Sequence, residues 1–182
     1  MIILCGPSAC GKTEIAKHLS STYGIKKVVT NTTREKRVQE VNHVDYNFIT
    51  KDEFLKLKEN DLFVETTFYN NNYYGCLKSE IGENKIVILE PDGVKNFLKL
   101  KDKKICVFYL NADEKIRIDR MRYRKDKEQD IIKRIDNDQH TFSKENLPFY
   151  HYQIDTSFIT IEETSKKIIE LYQAFLDTSD IS

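Results

Sequence analysis

Gly6-Pro7-Ser8-Ala9-Cys10-Gly11-Lys12-Thr13 fits G-x-x-x-x-G-K-[ST] at every fixed position. The chemistry on offer is anion binding. Backbone N–H groups that converge where a loop opens a helix give a phosphate several donors and the positive end of a helix dipole. Gly6 and Gly11 permit backbone angles and close approaches that a side chain would block. Ser8, Ala9 and Cys10 complete the loop. Lys12 can reach the outer phosphates of a nucleotide, and Thr13 offers a hydroxyl to Mg²⁺. The flanks agree with this reading: residues 1–5 are apolar and residues 13–22 are helical in pattern.

A second set of residues could also receive a phosphate. Arg34 and Arg37 stand three apart, and Tyr46 and Tyr74 follow in the same segment. Two guanidinium forks and two phenol hydroxyls can surround a phosphate dianion and orient it. Residue types alone leave open a solvated basic loop beside two core tyrosines. Glu65 sits among apolar residues and threonines, where a carboxylate needs partners or an outward face on an edge strand. Further along, Arg117, Arg120, Arg122, Arg124 and Arg134 crowd a stretch with little apolar content. Spacings of three or four place some of them on one helix face. Arginines so placed can stabilise the charge that phosphoryl transfer spreads over the equatorial oxygens. The same arginines could instead pair with Asp119, Asp126 and Glu128 on a solvated helix pair.

The elements that must position these groups alternate. Residues 2–5, 27–30, 85–90, 104–110 and 151–155 read as strands. Residues 13–22, 92–100, 113–124, 127–142 and 160–176 read as helices. Near-continuous apolar strands between helices predict an α/β fold with a parallel sheet covered on both faces. Ligands should then lie off the C-terminal ends of the strands. Residues 31–76 break this rhythm. The short β-prone runs 45–50, 62–68 and 72–76, with a helix at 51–58, predict a small antiparallel excursion over the mouth of the phosphate loop. Residues 177–182 should be frayed.

Composition narrows the class. The chain has 182 residues, which favours one domain. Lys plus Arg equals Asp plus Glu at 29 each, so net charge argues for neither a nucleic-acid nor a membrane partner. No run of about 18 apolar residues is present to span a bilayer. The N-terminal residues lack the pattern of a signal peptide, which predicts a cytoplasmic protein. Cys5, Cys10, Cys76 and Cys106 form no C-x-x-C pair, and disulfides are not expected. Cys5 and Cys106 read as core residues. Cys10, in the loop beside Lys12 and a helix start, reads as a small filler at a tolerant position, with a stabilised thiolate as the alternative.

Five segments in order then give a specific resemblance: GPSACGKT, TTREKRVQEVNHVDYNF, FVET followed by NNYYG, VILEPDGV, and an arginine-bearing helix pair. Together they resemble the guanylate kinases over residues 1 to about 142. The resemblance implies a phosphate-loop fold with a β-rich acceptor-binding insertion at 31–76, a helical lid at 121–140, and a core from 1–30, 77–120 and 141–182. It implies that Gly6, Ser8, Ala9, Cys10, Gly11, Lys12 and Thr13 bind ATP. Thr30, Arg34, Arg37, Tyr46 and Tyr74 would hold the phosphate of GMP or dGMP. Glu65 and Asp92 would read guanine, whose Watson–Crick edge offers two adjacent N–H donors that adenine lacks. Lys12, Arg120, Arg124 and Arg134 would act on the transferred phosphoryl group, and Mg²⁺ would be held by Thr13 and, through water, Glu90.

The chain departs from the family pattern at three places. Cys76 stands where a Ser or Thr hydroxyl usually reads the guanine carbonyl, and a thiol is a weak donor. Glu90 replaces an Asp, and His43 a common Gly. Two other readings follow. One is a kinase of the same fold acting on another phosphorylated acceptor, such as a different nucleotide or a ribose phosphate. The other is a non-catalytic relative that binds a protein through the acceptor cleft. A monomer or a homodimer is expected, with no nucleic-acid or membrane partner.

Overall fold

The opening apolar run becomes β1 (Ile2–Cys5), all four residues buried. The phosphate loop follows and leads into α1 (Lys12–Tyr23), which ends at Gly24 in the left-handed region. The remaining elements are β2 (Lys26–Lys27), β3 (Asn31–Thr32), β4 (Asn47–Phe48), α2 (Lys51–Glu59), β5 (Phe63–Tyr69), β6 (Asn72–Leu77), β7 (Lys85–Ile88), α3 (Pro91–Leu98), β8 (Cys106–Asn111), α4 (Glu114–Tyr123), α5 (Glu128–Thr141), β9 (Tyr152–Asp155) and α6 (Ile161–Ser179). The computed structural model describes residues 1–36, 40–44, 46–69 and 71–179.

Five strands form a parallel sheet in the order β2-β7-β1-β8-β9. Side chains alternate across it, as strand geometry requires. Ile2 and Leu4 join Ile15 and Leu19 of α1, Phe108 of β8 and Ile168 of α6 in one core. Met1, Ile3 and Cys5 join Val87, Val107 and, from α3, Val94 and Phe97 in the other. Both faces of β1 are therefore apolar, which is why the strand reads as a continuous hydrophobic run. Burying each large aliphatic side chain of this kind contributes about 1.5–3 kcal/mol. The central position of β1, between β7 and β8, puts the phosphate loop at the C-terminal edge where neighbouring chains diverge.

The second sheet has the order β4-β3-β6-β5. It is anchored by α2, whose N-terminus is closed by a reciprocal Thr50–Glu53 capping box. Phe54 of α2 is fully buried and stacks on Phe63 and Tyr73, with ring centroids 4.5 and 5.2 Å away. Gly75 is required beneath this stack, since a Cβ there would lie 2.8 Å from the Phe63 ring. A register shift between Phe63 and Glu65 sets Glu65 opposite Cys76.

Three expectations change. The second core strand ends at Lys27, not Thr30. Val28 still donates to Ile86 O at 2.8 Å, but the Thr30 carbonyl accepts from Asn47 N at 2.9 Å, so the chain has already left for the other sheet. The excursion is mixed and not purely antiparallel, because β3 pairs in parallel with β4 and antiparallel with β6. Its two-residue β3 carried no apolar signal in sequence. Finally, residues 177–179 continue α6 where a frayed tail is expected, and the rest of that tail, 180–182, lies outside the described residues. Among the described residues, no helix is long and apolar enough to cross a membrane.

Candidate active site

The phosphate loop is shaped by close backbone approaches. A Cβ on Gly6 would come within 1.9 Å of the Leu110 carbonyl oxygen, so only glycine lets the loop pass β8. Gly11, at φ 96°, turns the chain into α1. The Lys12 ammonium donates to the Gly6 carbonyl and, at 2.8 Å, to that of Pro7. Thr13 is exposed one residue further on.

Beside this loop lies a cleft of about 990 Å³. Ala9, Gly11, Lys12 and Thr13 form one side, with Arg120, Tyr123 and Arg124 of the α4 end opposite. Residues following β9, notably Thr156, Ile159 and Ile161, form the third wall. Thr156 was not legible as a site residue, yet its hydroxyl donates to Cys10 O at 2.9 Å and fastens this wall to the loop. Glu90, at the end of β7, feels the field of Lys12. Crowding by protein atoms pushes its carboxyl up, and Lys12 pulls it back.

Cys10 is the small filler that the sequence favours, and not the alternative thiolate. Its side chain is fully buried in the core, with Sγ 3.8 Å from Lys12 Nζ. Burial raises the thiol above its ordinary value and outweighs the pull of Lys12. All four cysteines are buried and unpaired.

On the second sheet, Arg34 is held at several points. It pairs with Glu40 at 2.6 Å, donates to Glu35 O at 2.7 Å, and lies over the rings of Tyr46 and Phe48 at 5.5 and 5.6 Å. Tyr46 and Tyr74 meet edge to face at 6.1 Å. Bonds to Glu40 and Tyr74 raise the Arg34 pKa further above its usual value. The structure thus gathers Arg34, Tyr46 and Tyr74, and adds Glu40. Glu40 was visible only as the acid inside TTREKRVQE. Thr30 is half-buried at the entry to this sheet. Arg37 lies outside the described residues.

Glu65 faces a smaller cleft of about 320 Å³ that it shares with Phe63, Thr66 and, from α3, Asn96. Burial raises its carboxyl above the usual carboxylate range, partly offset by bonds from Thr67 and the Cys76 backbone. The Cys76 side chain is fully buried with the α3-facing core, and burial pushes its thiol up to about 12. Asp92 is exposed in the first turn of α3, bonded to Lys95 at 3.0 Å, and the structure does not join it to Glu65.

The helix-pair arginines divide. Arg120 donates to Ala9 O at 3.2 Å and to Thr156 O at 2.6 Å, against the loop itself. Arg124 and Arg134 both face Asp126, at 2.8 and 3.8 Å. Arg122 pairs with Glu128 at 2.5 Å. Arg117 is buried against Asp138 at 2.7 Å, a partner that sequence spacing did not reveal.

The family description "Guanylate kinase" matches residues 1–175. The chain belongs to the guanylate kinase family. Among its relatives, the guanylate kinase of Mesomycoplasma hyopneumoniae strain 7448 is 45% identical over 107 residues, which is 54% of each chain. The alignment therefore spans about half the length of that relative. The guanylate kinase of Mycoplasmoides gallisepticum is 31% identical over 184 residues, covering 97% of this chain and 91% of that protein. The crystal structure of guanylate kinase from Anaplasma phagocytophilum superposes with a TM-score of 0.65 at 22% identity, covering 96% of this chain and 84% of the other. That likeness is one of fold, a parallel sheet flanked by helices on the phosphate-loop plan.

Proposed function

We propose that this protein transfers the γ-phosphoryl group of ATP to the phosphate of GMP or dGMP, giving ADP and GDP or dGDP. The observation that carries the reading is the separation of two anion-receiving clusters onto two sheets. One is the loop around Lys12, beside a cleft large enough for a nucleoside. The other is Arg34 held over Tyr46 and close to Tyr74. Two phosphate-bearing ligands brought end to end need this division, and family membership supplies the reaction class.

In this reading the loop amides and Lys12 bind the triphosphate. The core at 1–30, 77–120 and 141–182 carries them, and the lid at 121–140 brings Arg124 and Arg134. Thr30, Arg34, Arg37, Tyr46 and Tyr74 of the insertion at 31–76 hold the acceptor phosphate, with Glu40 locking the Arg34 fork. Glu65 reads the base, Asp92 would have to approach it from the exposed first turn of α3, and Cys76, buried in the core behind Glu65, offers the base no hydroxyl. Arg120 and Lys12 neutralise charge that develops on the transferred group. The oxygen donors near the loop, a Thr13 hydroxyl and the Glu90 carboxylate, match what Mg²⁺ prefers, and it would arrive on the phosphates. Held there by Thr13 and, through water, Glu90, the ion would offset phosphate charge. Positioning and charge neutralisation supply the catalysis without a covalent intermediate.

The test is a coupled assay for ADP release with ATP and each nucleoside monophosphate in turn. GMP and dGMP should dominate. Faster turnover of a pyrimidine or adenine acceptor, or of a ribose phosphate, would reject the guanine assignment. Absence of turnover with every acceptor would reject the kinase assignment.

A further inference from the structure

All three polar groups of Ser8 are gripped by one buried ion pair. Asp138 accepts from Ser8 N at 2.8 Å and from Ser8 Oγ at 3.1 Å. Arg117 donates to Asp138 at 2.7 Å and to Ser8 O at 3.4 Å. The pair is more than nine-tenths buried, and Arg117 Nε has no hydrogen-bond partner among the described residues. Stability is a poor reason for such an arrangement. A buried pair often contributes no more than apolar residues of similar volume, and an orphaned donor adds a cost.

The neighbouring residue supplies a better reason. Ala9 has φ 60°, the left-handed region that a Cβ disfavours and glycine does not. Its methyl packs with Met121 of α4 and Ile131 and Ile135 of α5, while Arg120 donates to its carbonyl. The strained residue is therefore bracketed, by Ser8 on one side and Arg120 on the other. Left alone, Ala9 would relax and swing the amides that follow it away from a common point.

We propose that Arg117 and Asp138 are positioning residues that hold Ser8, and through it the left-handed Ala9, so that the phosphate loop keeps its anion-binding shape. The inference rests on the donor-site reading above. It also makes the base of α4 and α5 one unit with the loop, leaving the turn that carries Arg124 and Asp126 as the part free to move.

The experiment is calorimetric titration of the full chain with MgADP, inorganic tripolyphosphate and GMP. The variants are Arg117→Leu/Asp138→Ala, the same pair with Ala9→Gly, and Asp138→Asn. The apolar double variant should melt near the wild type. Its MgADP and tripolyphosphate affinities should fall about tenfold or more, as for losing hydrogen bonds to a charged group, while GMP affinity holds. Adding Ala9→Gly should restore most of the loss, because glycine needs no bracing in this conformation. A merely structural pair would not respond to Ala9→Gly in this way. Wild-type affinity in the double variant, equal losses for MgADP and GMP, or no recovery with Ala9→Gly would each overturn the proposal. If the double variant does not fold, Asp138→Asn is read instead, and unchanged MgADP binding there would overturn it. Wild-type protein that binds neither MgADP nor tripolyphosphate would overturn the donor-site reading as well.

Discussion

Arg120 donates to the backbone carbonyl of Thr156 at 2.6 Å, joining the end of α4 to the loop after β9 beside the larger cleft. The same guanidinium reaches Ala9 O at 3.2 Å. An arginine from the helix pair is thus fixed at the phosphate loop, while Arg124 and Arg134 are turned toward Asp126. Helix geometry alone makes the three look alike. Their partners divide them into one preset and two that must leave a carboxylate to act.

That division has a kinetic consequence. Arg120→Met should lower kcat by about 10²-fold or more, the usual loss for one preorganised charge donor at a transition state. Asp126→Asn should loosen Arg124 and Arg134 and leave kcat within about threefold, since exposed pairs contribute little. Steady-state kinetics of the two variants decide this, and equal kcat for Arg120→Met and wild type would reject the preset role.

Lys12→Ala should cut turnover by about 10²-fold or more with little change in melting temperature. Its ammonium bonds loop carbonyls and is only partly buried, so the fold does not depend on it. Single-turnover rates measured alongside thermal melts separate the two effects. A normal rate would remove Lys12 from the reaction.

Glu65 gives a pH-dependent expectation. Burial raises its carboxyl above the unfolded value of 4.5, so at neutral pH the folded state carries an ionised group at a cost the unfolded state does not bear. Glu65→Gln should therefore melt higher than wild type at pH 7. The difference should shrink as pH falls through the raised folded value, and vanish below the unfolded value. Binding should move the other way. The amide offers one acceptor where the carboxylate offers two, so GMP affinity should drop far more than ATP affinity. Equal losses for both nucleotides in titration calorimetry would reject the base-reading role.

Tyr74→Phe removes a phenol close to Arg34 and leaves the edge contact with Tyr46. The KM for GMP should rise about tenfold, as expected for one lost hydrogen bond to a charged group, with the KM for ATP unchanged. Initial rates with each substrate varied in turn test this. An equal rise in both constants would show that the ring serves the fold and not the acceptor phosphate.

Legibility followed the range of the interactions. The loop from Gly6 to Thr13 could be read directly because its amides converge through contiguous backbone, and β1 because both of its faces are apolar. TTR, NYYG and the lone Glu65 announced the second sheet by residue type. The short β3 was missed, since Asn31 and Thr32 are buried by pairing with Gly75, Tyr74, Asn47 and Phe48 and not by any apolar pattern of their own. Glu40 as the keeper of Arg34 was hidden for a similar reason, because a charge pair six residues apart in a loop has no period to betray it.

The sequence by itself determined the fold class, the phosphate loop and the kinds of side chain available to two anionic ligands, because these follow from local spacing and hydrophobic alternation. Tertiary structure alone showed that Cys10 is fully buried, so that the loss of water around its thiol outweighs the pull of Lys12 two residues away. It alone joined Ser8 to Asp138 across 130 positions and Arg120 to Thr156 across 36. Such contacts exist only once the sheet has placed the ends of distant segments together, and no periodicity in the chain encodes them.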